Sequence, residues 1–253
     1  MMAQAADPGP VWQSATLTVA AAHRPVTEDA LLDLPEHGVW AVADGMGGHS
    51  LGATASRTVI DALSEALLPH GPGWTEAVLA ARIATARAAL HQVHRHLVAV
   101  GQDLTPPGIV GSTVVLLLAT PDRATILWIG DSRLYLLRDR ALHLVTRDHA
   151  RAVRWVDPHD PDAPPRLRQV LTQALGRAEP LEIGAVDIAL TATDRILLCS
   201  DGLYKIFDNL QIAEHLVQPA AVLAEAMRRT LAKDAPADDV TMIAVERAGA
   251  RGP

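Results

Sequence analysis

Two apolar runs in this chain end in the same way. Val39-Trp40-Ala41-Val42-Ala43 runs into Asp44-Gly45-Met46-Gly47-Gly48-His49, and Ile196-Leu197-Leu198-Cys199-Ser200 runs into Asp201-Gly202. Each reads as a buried strand that delivers a carboxylate where it leaves the core. Further acidic residues stand in turns or beside apolar runs: Glu28 and Asp29, Asp131 after Gly130, and Asp238 with Asp239. Carboxylates converging at strand ends repel one another, and divalent cations are their natural counter-charge. A set of oxygen ligands favours hard ions such as magnesium or manganese over zinc, which prefers His and Cys. A single Asp-Gly pair is an ordinary turn former; the argument rests on the whole set.

The remaining periodicities supply the organisation. A strand is expected at 15–22 and a helix over 51–68, with Ala55, Val59, Ala62, Leu63, Ala66 and Leu67 on one face. A second, longer helix is expected over 75–100. Its stripe is Leu79, Ile83, Ala86, Leu90, Val93 and Leu97, with Arg82, Arg87, Gln92 and Arg95 off it, and the two helices are expected to pair antiparallel. Short β segments at 113–119, 124–129, 134–137 and 142–145 read as an antiparallel meander. Between 151 and 168 the prolines Pro158, Pro161, Pro164 and Pro165 preclude a regular element throughout, and a mobile flap is expected there, at about 150–170. Strands follow at 181–190 and 195–199, helices near 209–217 and 220–233, and a last strand at 240–246. Strands and helices are segregated, which points to an α+β fold and away from βαβ units.

Composition excludes several classes. At 253 residues the chain suits one domain, expected over 12–247, with frayed tails at 1–11 and 248–253. Hydrophobic residues are 49% and charged residues 20%, as in a soluble globule. The formal net charge of -7 disfavours nucleic acid as a partner, so any phosphate bound here needs local positive charge. The single cysteine, Cys199, permits no intramolecular disulfide and no thiolate metal site, and reads as an inert strand residue. With no apolar stretch of about 18 residues and no signal-like N-terminus, a cytoplasmic protein without a membrane association is expected. His91, His94, His96 and His143 show no metal-ligand spacing and read as solvated surface.

Taken in order, Arg24-Pro25-Val26-Thr27-Glu28-Asp29, Asp44-Gly45-Met46-Gly47-Gly48-His49, Gly111-Ser112-Thr113, Gly130-Asp131-Ser132-Arg133, Ser200-Asp201-Gly202-Leu203 and Asp238-Asp239-Val240-Thr241 resemble the motifs of the bacterial protein phosphatase 2C (PPM) family. The resemblance spans about residues 14–246. It implies a four-layer αββα sandwich, two antiparallel sheets flanked by antiparallel helix pairs, with the metal centre at one end. It also implies hydrolysis of phosphoserine and phosphothreonine esters in proteins by a water activated between two manganese or magnesium ions. By the same resemblance Asp44 bridges the two ions. Asp201 and Asp238 complete the first position, and Glu28 with the Gly45 carbonyl forms the second. Asp131 and Asp239, with Asp201, match a third metal position of bacterial members. Arg24 is expected to hold the substrate phosphate, Asp29 to accept hydrogen bonds from metal-bound water, and His49 is a candidate proton donor to the leaving oxygen.

Some positions depart from the family pattern: Thr27 stands where Asn is usual, Ala21 where Gly is common, Asp239 where Asn is frequent, and Met46 where eukaryotic relatives have His. No carboxylate expected to bind metal is lost. Analogy within the family names phosphorylated proteins as partners, among them a Ser/Thr kinase and its forkhead-associated targets, and a monomer is expected. The alternatives are a phosphatase-like binding module without catalysis, an anti-sigma-antagonist phosphatase, and a calcium-binding protein. The last is disfavoured because the acidic residues are scattered instead of packed in one short loop.

Overall fold

The computed structural model describes residues 11–47, 51–68, 75–155, 166–177 and 180–249. Strands β1 (Trp12–Val19), β7 (Arg133–Arg138), β8 (Ala141–Leu144), β12 (Arg195–Cys199) and β13 (Val240–Arg247) form one antiparallel sheet in the order β1-β13-β12-β7-β8. Strands β2 (Asp29–Leu34), β3 (Val39–Met46), β5 (Val114–Ala119), β6 (Arg123–Ile129) and β11 (Gly184–Ala189) form the other, in the order β11-β6-β5-β3-β2. The two-residue β4 (Gly111–Ser112) pairs with the end of β3. Helices α1 (Leu51–Leu67) and α2 (Glu76–Asp103) cover the second sheet. The first is covered by α3 (Asp201–Ile206), α4 (Asn209–Leu216) and α5 (Ala220–Leu231).

Strand periodicity decides the layering. Val39, Ala41 and Ala43 of β3 face α1 and α2, while Trp40 and Val42 face the opposite sheet. On β5 the same alternation sends Val114, Leu116 and Leu118 one way and Val115 and Leu117 the other. Three apolar clusters result: one under α1 and α2, one between the sheets, and one under α3 to α5. Three interfaces require four layers, so the expected αββα sandwich is what the chain forms. Between the sheets Trp12 meets Trp40 edge to face, ring centres 6.0 Å apart. Cys199 is buried in this framework, and burial pushes its thiol pKa up, in keeping with an inert side chain.

Several expectations need correction. The stretch 113–145 is not one meander: β5 pairs with β6 and β7 with β8, in different sheets. Both edges of β6 are taken, by β5 and β11, so the chain must cross at Gly130-Asp131-Ser132 to add β7 beside β12. The flap region contains regular structure: β9 (Ala150–Trp155) and β10 (Arg166–Leu171) pair antiparallel, with Arg168 over the Trp155 ring. The prolines lie outside the described residues. His94 is buried, and its Nδ1 accepts a hydrogen bond from the Gly176 amide. Arg82 is also buried and donates to the His37 carbonyl, although it lies off the apolar stripe of α2. Among the described residues no helix is long and apolar enough to cross a membrane.

Candidate active site

Antiparallel register places Asp29, at the start of β2, directly opposite Asp44, near the end of β3. The backbone of Asp44 is held on both sides. Its amide donates to Thr113 Oγ1 at 3.0 Å, and its carbonyl accepts from the Thr113 amide at 2.8 Å and from Ser112 Oγ at 3.0 Å. Gly111-Ser112-Thr113 is therefore a bracket for Asp44. The Gly45 amide donates to the Glu28 carbonyl at 3.1 Å. A Cβ on Gly45 would stand 2.0 Å from the Gly52 carbonyl oxygen, so β3 and the first turn of α1 approach as only glycine allows. In the same way a Cβ on Gly52 would meet Glu28 Oε1 at 2.6 Å.

The other sheet brings the second group of acids. Asp201 is the first residue of α3, separated from β12 by Ser200 alone, and Asp238 and Asp239 directly precede β13. Gly202 permits the close packing of these two segments, since its Cβ would fall 2.0 Å from the Asp239 carbonyl oxygen. Ser200 joins the sheets by donating from Oγ to Asp29 Oδ2 at 2.8 Å and accepting from the Thr241 amide at 3.0 Å. Asp131 sits at the crossing from β6 to β7. Its carbonyl accepts from Tyr204 Oη at 3.0 Å, and the Tyr204 ring lies 3.6 Å from the Arg133 guanidinium, itself bonded to Asp148.

These segments enclose a cleft of about 940 Å³, lined among others by Arg24, Glu28, Asp44, Gly45, Asp131, Asp201 and Asp238. Burial, then the neighbouring carboxylates, holds Asp44 well above the usual carboxylate range. Burial raises Asp29 to about 7 and, with Asp201 adding to it, Asp131 to about 6. Asp201 is raised chiefly by burial, against the pull of Lys205. Two cations answer this charge. Arg24 reaches Glu28 Oε2 at 2.9 Å, Asp239 Oδ2 at 2.8 Å and Asp238 Oδ1 at 3.4 Å. Lys205 reaches Asp201 Oδ2 at 2.5 Å and Asp238 Oδ2 at 3.0 Å.

Seven of the residues singled out from sequence thus line one cleft. Two lie behind it. Asp29 is buried beneath Asp44, and the buried Asp239 accepts from the Ala21 and Glu28 amides, each at 2.7 Å, as well as from Arg24. His49 lies outside the described residues. Lys205, which pairs with Asp201 and Asp238, Gly52, which packs against Glu28, and two cleft-lining residues of β10, Gln169 and Leu171, were not identified from sequence. A lysine one helical turn after Asp201 was the available signal for the first; only the β9–β10 pairing brings the last two into place.

The donor set suits a hard divalent cation. Glu28 Oε1, Asp29 Oδ1 and Asp201 Oδ1 are buried carboxylate oxygens with no hydrogen-bond partner, a costly arrangement that an oxygen-seeking cation would relieve. Among the described residues no three acidic, His or Cys side chains close tightly around one point. Arg24 and Lys205 carry the counter-charge in their midst.

A family model described as Protein phosphatase 2C matches residues 25–238. The serine/threonine phosphatase stp of Listeria welshimeri is 30% identical over 217 residues, covering 81% of this chain and 83% of the relative. The serine/threonine protein phosphatase PstP of Mycobacterium tuberculosis is 35% identical over 201 residues, which is 76% of this chain and 36% of that longer protein. Among solved structures, PppA of Pseudomonas aeruginosa, described as a key regulatory component of T6SS, superposes with a TM-score of 0.78 at 33% identity, covering 93% of this chain and 97% of that one. The catalytic domain of PstP in complex with two manganese ions superposes with a TM-score of 0.73 at 29% identity, covering 94% and 98%. The bracketed carboxylates, the sandwich that positions them and these likenesses agree: this chain belongs to the protein phosphatase 2C family of metal-dependent serine/threonine protein phosphatases.

Proposed function

We propose that this cleft is a site for two manganese or magnesium ions, which Asp44, Asp201 and Asp238 together with Glu28 and the Gly45 carbonyl would hold. The observation that carries this reading is the set of buried, unpartnered oxygens on Glu28, Asp29 and Asp201. Bound divalent cations supply Lewis-acid charge and lower the pKa of the attacking water. Arg24, 30% exposed at the cleft, presents a guanidinium fork to the phosphate oxygens and orients the ester. Asp29 Oδ2 is fixed by Ser200, which leaves Oδ1 to take a proton from the attacking water. The substrates in this reading are proteins phosphorylated by a Ser/Thr kinase, including the kinase and its forkhead-associated targets, and the enzyme works as a monomer in the cytoplasm. The names of the relatives support the substrate class.

Hydrolysis of para-nitrophenyl phosphate and of a phosphothreonine peptide tests the reading, in manganese, in magnesium and in excess chelator. Turnover should require the metal, and Asp201→Asn should lower it by on the order of 100-fold or more. A folded protein inert in every condition, or an Asp201→Asn variant as active as the parent, would overturn it.

A further inference from the structure

Lys205 has no part in the reaction as proposed, yet its ammonium is tied into the cleft. It stands one turn after Asp201 on α3, and an intrahelical pair on an exposed face would be of little consequence. Its second partner changes this. Asp238 belongs to the segment before β13, so the 3.0 Å contact to Asp238 Oδ2 fixes Lys205 across two elements. The oxygens of Asp201 are thereby divided: Oδ2 faces Lys205, whereas Oδ1 is buried and unpartnered. An inner side of Asp201 is left for a dissociable cation, and an outer side already has a tethered one.

Asp131 completes the outer side. It lines the same cleft, and its backbone carbonyl is bonded to Tyr204, the neighbour of Lys205 in α3. Asp239, the remaining acid nearby, has both oxygens engaged by the Ala21 and Glu28 amides and by Arg24. A divalent ion placed among Asp131, Asp201 and Asp238 would have to displace the ammonium and meet its repulsion at close range. We propose that Lys205 is a built-in cation occupying the outer position among Asp131, Asp201 and Asp238, so that this phosphatase takes up two dissociable divalent ions and excludes a third. The inference rests on the two-ion reading of the cleft.

Counting ions tests it without recourse to activity. The metal-stripped protein, Lys205→Gln and Lys205→Met are titrated with manganese into the millimolar range, and free manganese is read from its electron paramagnetic resonance signal. Lys205 is half exposed, so both variants should fold, which thermal unfolding verifies. The parent should bind two ions and each variant three, the third more weakly. Three ions on the parent, or two on parent and variants alike, would overturn this inference alone; fewer than two on the parent would overturn the two-ion reading and this inference with it.

Discussion

Arg24 is the side chain in which structure and chemistry are most entangled. Its guanidinium touches Glu28, Asp238 and Asp239, and it stands at the cleft mouth where a phosphate dianion would arrive. Removing it should therefore act mainly on substrate engagement. Arg24→Ala should raise KM and lower kcat/KM by on the order of 10- to 100-fold, the worth of charge-assisted hydrogen bonds, and Arg24→Lys should not restore it because an ammonium has no fork. Initial-rate kinetics on a phosphothreonine peptide would read this, and an unchanged KM would remove Arg24 from the phosphate. Arg24, Glu28, Asp44, Asp131, Asp201 and Asp238 were legible because acids and an arginine stand in ordered motifs. The engagement of Asp239 by two backbone amides was not, since only the fold brings Ala21 and Glu28 to it.

Among the elements, β12 and β13 carry the site from behind, and a buried ion pair ties them. Arg195 and Glu246 face each other in register and are bonded side chain to side chain, both almost fully buried. Arg195 also donates to the Gln218 carbonyl, while Glu246 accepts from Gln13 and the Ala220 amide. Breaking one partner leaves the other charge buried, so Arg195→Met should destabilise the fold by about 3–5 kcal/mol, and adding Glu246→Leu should recover much of the loss. Urea unfolding of the single and double variants would show it; equal stability of the single variant and the parent would refute it. Most elements were readable as periodic runs, within a few residues at their ends. The exceptions have physical reasons. The six residues of β2 contain two aspartates and are only partly buried, α3 spans little more than one turn, and β9 and β10 are Arg-rich strands that, among the described residues, pair only with each other.

Taken whole, the molecule concentrates acid where the two sheets meet, and its stability should register this. In the unfolded chain the carboxylates titrate near pH 4. In the fold, burial first and mutual repulsion second raise Asp29 to about 7 and Asp131 to about 6, with Asp44 and Asp201 displaced in the same direction. Between these limits the folded form binds more protons, so stability falls as pH rises from about 4 through 7. His149, whose pKa burial lowers, works the other way over part of this window, but it is one imidazole against four carboxylates. The metal-free protein should therefore melt at a higher temperature at pH 5 than at pH 8, and manganese should reverse the deficit at pH 8 by neutralising the same oxygens. A metal-free melting temperature that is flat or rises over this range would contradict the charge arrangement described.

The sequence by itself determined the strand and helix periods, the acids placed at strand ends and the order of motifs, because these depend on residues close along the chain. From them the α+β class and the family followed. Only the tertiary structure decided which strands share a sheet, that the chain changes sheets at Asp131, that His94 and Arg82 are interior, and that Lys205 lies across Asp201 and Asp238. Each of those depends on which distant edge or face remains open once the others are paired, a question of packing in three dimensions that no local pattern encodes.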